Sequence, residues 1–272
     1  MKHHQVARPV GLLLAAAWAT VAPPSAQAQA ASDQWQWRAA IYGWLPAIGG
    51  STSFPTDGGG GPGLDVSAKD VLDALKMTFM GQVEARKGQW GLWTDLVYAD
   101  FGATKSDTRD FSIGGQPASV SATLGLDLKA AAWTLAGVYN LTSTPRNRTD
   151  VVFGTRLLNL QEKLNWALTT DVPQLPGRSG ASSASERNWD AVVGIKGRYE
   201  LGTGRKWFVP YYADVGGGQS KSTWQANAGL GYRFDWGSLY ASYRYLDYRF
   251  KSGHAIESMT MNGGLVGAGF EW

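Results

Sequence analysis

Along much of this 272-residue chain, apolar and polar side chains trade places at successive positions. In residues 76–86, Met77, Phe79, Val83 and Ala85 take one side, and Lys76, Thr78, Gln82, Glu84 and Arg86 the other. In residues 189–200, Trp189, Ala191, Val193, Ile195 and Tyr199 oppose Asp190, Lys196, Arg198 and Glu200. In residues 224–236, Trp224, Leu230, Tyr232, Phe234 and Trp236 oppose Gln225, Asn227, Arg233 and Asp235. A period of two belongs to β-strands with unlike faces. A soluble sandwich turns its charged face outward; a strand crossing a bilayer, about 9–11 residues long, turns its apolar face to lipid and its polar face to a lumen.

Other features favour the second arrangement. Lys2 and Arg8 precede an apolar run over residues 10–22, followed by Ser25-Ala26-Gln27-Ala28-Gln29-Ala30. That order predicts a secretory signal over residues 1–30, cleaved after Ala28 or Ala30. The run is too short to span a bilayer and stops at Pro23-Pro24. No later stretch is long and apolar enough for a transmembrane helix, so any crossing is by strands. The chain has 35 Gly, 13 Trp and 11 Tyr but no Cys, so an exported form has no disulfide framework and relies on pairing and packing. Beyond residue 30 the 23 Lys and Arg nearly balance 22 acids, which argues against a nucleic-acid binder.

Ten strands are predicted: 35–47, 76–87, 90–102, 124–141, 150–165, 188–201, 207–217, 223–236, 239–251 and 258–272, with eight or twelve as alternatives. Short connections at 87–89, 142–149, 202–206 and 237–238 alternate with mostly longer ones near 48–75, 103–123 and 166–187, then 219–222 and 252–257. Short turns on one side and longer loops on the other are the bacterial barrel pattern, with both termini in the periplasm. The expected fold is therefore all-β: one closed antiparallel transmembrane barrel over residues 31–272, in the outer membrane of a Gram-negative cell. In the fourth strand Asp127 and Lys129 fit one phase and Trp133, Leu135 and Tyr139 the other, which predicts a bulge at 130–132. Trp35, Trp90, Trp207, Tyr199, Trp236 and Trp272 are expected at one interface, and Trp44, Tyr98, Trp189, Trp224 and Tyr245 at the other.

The segments Trp37-Arg38-Ala39-Ala40-Ile41-Tyr42-Gly43-Trp44-Leu45-Pro46, Asp65-Val66-Ser67-Ala68-Lys69-Asp70-Val71-Leu72 and residues 80–95 carry a resemblance, as do Tyr212-Ala213-Asp214-Val215-Gly216-Gly217-Gly218 and residues 223–246. Together they resemble a group of uncharacterised proteobacterial outer-membrane β-barrel proteins, loosely related to small porin-like and OmpA-type barrels. The resemblance spans nearly the whole chain after residue 30 and implies the fold and compartment. It brings no catalytic residues, because the group carries no established activity. Two departures are Trp272 in place of a terminal Phe, and Gly216-Gly217-Gly218 in place of Gly-Gly-Phe. The terminal Gly269-Phe270-Glu271-Trp272 still implies handling by the barrel-assembly machinery. The expected surroundings are outer-membrane lipid and lipopolysaccharide, and the expected state is a monomer.

The alternation assigns Arg38, Glu84, Arg86, Asp95, Asp190, Arg198, Asp214, Arg233 and Arg244 to the lumen as candidate lining residues. Asp127, Lys129, Asp150, Arg156, Lys196, Asp235 and Glu271 join them on the same reasoning. In a barrel of about ten strands, opposite charges have room to pair rather than to frame a wide pore. The expected function is thus a largely closed barrel with a structural or envelope-interaction role. A narrow ion or solute path lined by Asp95, Asp214 and Arg244 is the alternative, and an outer-membrane hydrolase the third reading.

Ser67-Ala68-Lys69-Asp70 followed by Val71, Leu72 and Leu75 predicts a short helix in the first loop, either lying at the surface or folding over the barrel mouth. Gly-rich residues 56–63 lack Gly-Lys-Ser/Thr and are read as a loop tip rather than a phosphate loop. His254 is the only histidine after the signal. It sits between Ser252 and Glu257-Ser258, but neighbours on one short loop rarely form a triad, which is defined by spatial geometry. A single His without Cys offers few transition-metal ligands. Neither enzyme activity nor a cofactor or metal site is expected.

Overall fold

A computed structural model describes residues 34–52, 63–113, 116–170, 177–252 and 256–272. The expected signal, most of residues 56–63, and His254 lie outside the described residues. The elements are β1 (Gln36–Thr52), β2 (Gly63–Val66), α1 (Ala68–Ala74), β3 (Leu75–Lys87), β4 (Trp90–Ile113), β5 (Gln116–Ser143), β6 (Asn147–Thr170), β7 (Arg178–Leu201), β8 (Trp207–Gly218), β9 (Ser222–Arg233), β10 (Ser238–Arg249) and β11 (Ile256–Glu271). From β3 onward each strand pairs antiparallel with the next, β3 pairs with β1, and β11 returns to β1 in a register from Arg38↔Glu271 to Ser51↔Ser258. The sheet therefore closes into a ten-strand barrel, with β2 an accessory strand on Ile48–Ser51 of β1. Closure matters because hydrocarbon offers no partner for a free strand edge.

The predicted strands are all present, but two predicted loops are not. Residues 103–113 and 116–123 extend β4 and β5, and much of 166–187 extends β6 and β7. These four strands run 24 to 28 residues, more than twice the crossing length. Beyond lipid a strand no longer needs one apolar face, so the sequence loses its alternation while the backbone keeps pairing. Polar cross-strand bonds such as Ser106–Thr123 at 3.0 Å and Thr108–Ser121 at 2.8 Å take over there. At the opposite, periplasmic end the turns are tight: Gly88, between β3 and β4, has φ +63°, a conformation that favours glycine.

The predicted bulge at 130–132 is also absent: β5 stays in register with both neighbours from Ala130 to Val138. The phase conflict has a simpler origin. Ala132, Thr134, Ala136 and Val138 are buried inside, so Asp127 and Lys129 share the outer face with Trp133 and Leu135. Both lie above the lipid boundary, where charge is welcome outside. Lys76 joins them, because a register irregularity between Leu75 and Met77 turns it out to Asp127 at 2.5 Å. That hydrogen bond holds the Lys76 ammonium above and the Asp127 carboxyl below their ordinary pKa values. Lys129 approaches Asp100 at 3.7 Å. Asp235 lies in the exposed turn between β9 and β10, not in the lumen.

Below this charged collar the outer wall is greasy. Ile41, Leu45, Phe79, Val83, Leu92, Phe153, Val193, Ile195, Val215, Leu230, Leu239 and Val266 are all exposed. Water would not tolerate an apolar belt of this size; lipid covers it. Trp35, Trp90, Tyr199, Trp207, Trp236 and Trp272 are exposed around the periplasmic rim. At the other rim Trp224 stacks on Tyr245 with ring centroids 4.6 Å apart. Trp44 departs from the expected girdle: it shares the inward phase of Ala40 and Tyr42 and is 1% exposed. Its segment is apolar on both faces, so alternation could not assign a side.

The predicted helix is α1. Ser67 caps it, its hydroxyl accepting from the Asp70 amide at 3.2 Å and donating to the Asp70 carboxylate at 2.6 Å. Pairing of β1 with β3 stops at Ile41↔Gly81, and higher up the Trp44 amide donates instead to Met80 Sδ at 3.2 Å. Where β3 ends, α1 packs against β1 and β4 with Val71 buried, filling the gap in the rim.

Position relative to lipid sets the cost of a charge. Ile195→Arg, mid-height on the outer wall, is expected to destabilise the barrel by about 2–4 kcal/mol, and Thr108→Arg on the extension by less than about 1 kcal/mol. Denaturant titration of both variants in vesicles checks the difference.

Candidate functional site in the barrel lumen

Strand β10 shows how the lumen is layered. From the periplasmic end upward its inward residues are Tyr240, Ser242, Arg244, Leu246 and Tyr248, with Phe250 just beyond. Strand β6 repeats the order with Arg148, Asp150, Val152, Gly154, Arg156, Leu158 and Leu160. Polar groups thus dominate the lower and middle interior, around a small apolar cluster of Trp93, Ala136, Val138, Val152 and Tyr212, and apolar groups the outer part. The apolar layer joins Trp44, Met80, Val97, Leu158, Leu160, Leu246, Tyr248, Phe250, Met259 and Met261 in one packed cluster across the barrel. Leu246 and Tyr248 are fully buried and Leu158 is 1% exposed, so the plug is as tight as a soluble core.

Directly beneath the plug lie two buried ion pairs, with Arg244 Nε the one guanidinium nitrogen of the second left without a partner. Arg156 grips Asp214 with two guanidinium nitrogens, donates from Nε to the Thr134 hydroxyl at 3.1 Å, and Tyr212 also donates to Asp214. Arg244 donates to Asp95 at 2.9 Å, to the Tyr42 hydroxyl at 2.9 Å and to Gln225 at 2.9 Å, while Tyr42 donates to Asp95 at 2.5 Å. Arg244 also lies 4.8 Å from the Trp44 ring centroid, which ties the polar layer to the plug. Charge-assisted, two-pronged bonds of this kind hold a buried pair in a fixed geometry.

Lower still, Arg86 sits between Glu84 at 2.9 Å and Asp150 at 2.5 Å, and Lys196 reaches Glu84 at 2.5 Å while lying 4.6 Å from the Trp93 ring centroid. At the periplasmic mouth Arg198 bridges Glu200 at 2.9 Å and Glu271 at 2.6 Å, and Arg233 meets Glu200 at 2.8 Å. Between these groups is a cavity of about 200 Å³, bounded above by Arg244 and Gln225 and at the mouth by Arg38, Arg198 and Glu271.

All nine candidate lining residues lie on the inner face. Arg38, Glu84, Asp95, Arg198 and Arg244 line the cavity itself; Arg86 and Arg233 support its walls. Asp214 is sealed in its pair with Arg156, and Asp190 accepts from the Ser220 amide at 2.8 Å beside the turn after β8. Sequence reasoning omitted Arg148 and Glu200 from the lining, although each shares the parity of an assigned neighbour, Asp150 and Arg198. It also missed the plug: around Trp44 and Val97 the outward neighbours are apolar too, while Leu246, Tyr248, Met259 and Met261 alternate with Asp247, Arg249, Thr260 and Asn262 in a phase reversed from that of the lipid-facing strands. Among the described residues no group of three or more His, Asp or Glu is arranged to hold a metal ion.

No protein-family model and no curated protein matches the chain. Its fold is similar to that of the outer membrane protease OmpT from Escherichia coli, at TM-score 0.52 and 8% identity, covering 90% of this chain and 99% of that one. The translocator domain of the autotransporter NalP from Neisseria meningitidis aligns at TM-score 0.36 and 15% identity, covering 87% and 88% of the two chains. Ail of Yersinia pestis aligns at 0.33 and 11%, covering 88% and 98%. The fold is that of the outer-membrane β-barrels of Gram-negative bacteria.

Breaking the upper pair strands a buried charge. Asp214→Leu or Arg156→Met alone is expected to cost about 3–5 kcal/mol, and the double variant much less, because it removes both charges together. A double-mutant cycle by denaturant titration measures this.

Proposed function

We propose that the protein is a closed, non-conducting outer-membrane barrel with a structural or envelope-interaction role, and that it belongs with the uncharacterised proteobacterial barrels its motifs resemble. The apolar layer from Trp44 to Met261, packed across the lumen above the ion pairs, carries this reading. An ion crossing it would shed most of its hydration shell for a few scattered neutral groups, the Tyr248 hydroxyl, the Trp44 indole N–H, Asn188 and Thr223, and hydrophobic constrictions gate pores in this way. The charges of the Arg156–Asp214 and Arg244–Asp95 pairs directly below are engaged with one another, so this part of the lumen works as a core that stiffens the wall.

Catalysis is not part of the proposal. OmpT is a protease by name, but at 8% identity the likeness carries its fold and no residue roles. Asp95 and Asp214, two of the candidate lining carboxylates, are each held by an arginine and a tyrosine, which leaves neither placed as a free general base. The last strand, ending Phe270-Glu271-Trp272, suits delivery by the barrel-assembly machinery, and an outer wall covered by lipid suits a monomer.

In planar bilayers the protein is expected to show no stable openings. The double variant Leu246→Ala/Tyr248→Ala, which hollows the plug, is expected to open a path. Charge-sensitive conductance in the unmodified protein that changes in Asp214→Ala would overturn the closed-barrel reading.

A further inference from the structure

The lower lumen carries more positive charge than its own carboxylates can match. Glu84 is approached by Arg38 at 3.6 Å as well as by Arg86 and Lys196. Asp150 is shared by Arg86 and, at 3.7 Å, Arg148. Glu271 is shared by Arg38 and Arg198, and Glu200 by Arg198 and Arg233. Followed from contact to contact, this single network joins six cations to four carboxylates, a surplus of two positive charges. Unmatched charge in a partly desolvated place is costly, and the aromatic walls provided by Trp93, Phe208 and Tyr212 strengthen the field inside.

The surplus faces the cavity. Arg38, Arg148, Lys196 and Arg198 all line it. Polar atoms left without a protein partner gather on the same walls: Arg148 Nε, Asn227 Oδ1 and Ser242 Oγ. Arg148 Nε is 3.7 Å from Asp150, too far for a hydrogen bond, and so keeps a donor for another acceptor. The cavity is blind above, where Arg244 and the plug close it, and meets water at the rim, where the Arg38 and Glu271 side chains are 28% and 46% exposed. Its volume of about 200 Å³ is below the range of drug-sized pockets and suits a ligand of few atoms.

We propose that this cavity is a binding site for a small multivalent oxyanion of the phosphate class, entering from the periplasm. Arg38 and Arg198 flank the entrance, Arg148 and Lys196 supply charge-assisted donors deeper in, and the Ser242 hydroxyl adds a neutral one. A multivalent oxyanion neutralises the surplus and, with several acceptor oxygens, can be held from more than one wall at once. The proposal stands on this geometry and is independent of whether the lumen conducts.

The test is calorimetric titration of the full folded chain in neutral detergent with inorganic pyrophosphate, with tryptophan emission followed in parallel because Trp93 lies against Lys196. Saturable binding at one site is expected, falling as salt rises. Arg148→Gln and Arg38→Gln are expected to weaken it by about tenfold or more, while Lys129→Gln, on the outer wall, leaves it unchanged. Circular dichroism reports folding of each variant. If Arg148→Gln does not fold, Arg38→Gln at the half-exposed rim still decides the matter. Absence of a saturable signal, binding indifferent to the folded lumen variants, or an equal loss in Lys129→Gln would overturn the site.

Discussion

Every feature of this molecule depends on one constraint: inside a bilayer, the backbone has no water to bond with. Ten strands meet that demand because β11 returns to β1, which leaves, among the described residues, an open sheet edge only where β3 parts from β1 above Ile41. Closure then fixes which side chains face in and which face out. Once β1 and β11 are in register, the period of two sends Ile41, Leu45 and Val266 to lipid and Tyr42, Trp44 and Leu265 to the interior. The thinnest stretch of this wall is where β3 parts from β1 above Ile41, and a sulfur acceptor, a helix and an accessory strand occupy that side.

The interior solves a second problem, that of filling a space too narrow for bulk water and too wide to be left alone. The protein divides the task by height. Its outer part is packed with apolar groups like a soluble core, and its middle with arginine–aspartate pairs whose remaining bonds go to tyrosine, threonine and glutamine. The lower part departs from this economy, with more cations than carboxylates around a cavity open to water. A lumen that only needed stiffening would gain nothing from that excess, and so the surplus reads as a feature for a ligand.

The sequence revealed the architecture well because lipid imposes a strong contrast on strands. Met77, Phe79, Val83 and Val193, Ile195, Tyr199 have charged or polar neighbours in the opposite phase, and those strands lie where the alternation put them. Legibility failed where the contrast faded. Above the membrane both faces of β4 to β7 meet water, so their extensions resembled loops. Asp127 and Lys129 sit on the same face as Trp133, one in water and the other toward lipid, and a change of environment along one straight strand looked like a change of phase. Trp44 lies inside an apolar stretch of wall that no alternation can mark, and at Leu246, Tyr248, Met259 and Met261 the alternation is inverted, with apolar groups inside and Asp247, Arg249, Thr260 and Asn262 outside. The inward charges were readable singly, but their partners were not, since Arg244 meets Asp95 and Arg156 meets Asp214 only through the closed geometry.

Closure of β1 on β11 in the observed register is the claim on which the rest stands, and the chain's lack of cysteine makes it directly testable. Ile41 and Ala268 are paired across that seam, at a separation a disulfide can bridge. In the variant Ile41→Cys/Ala268→Cys, mild oxidation of the folded protein should give an intramolecular crosslink in nearly every molecule. No crosslink, or crosslinks only between molecules, would contradict the closed barrel.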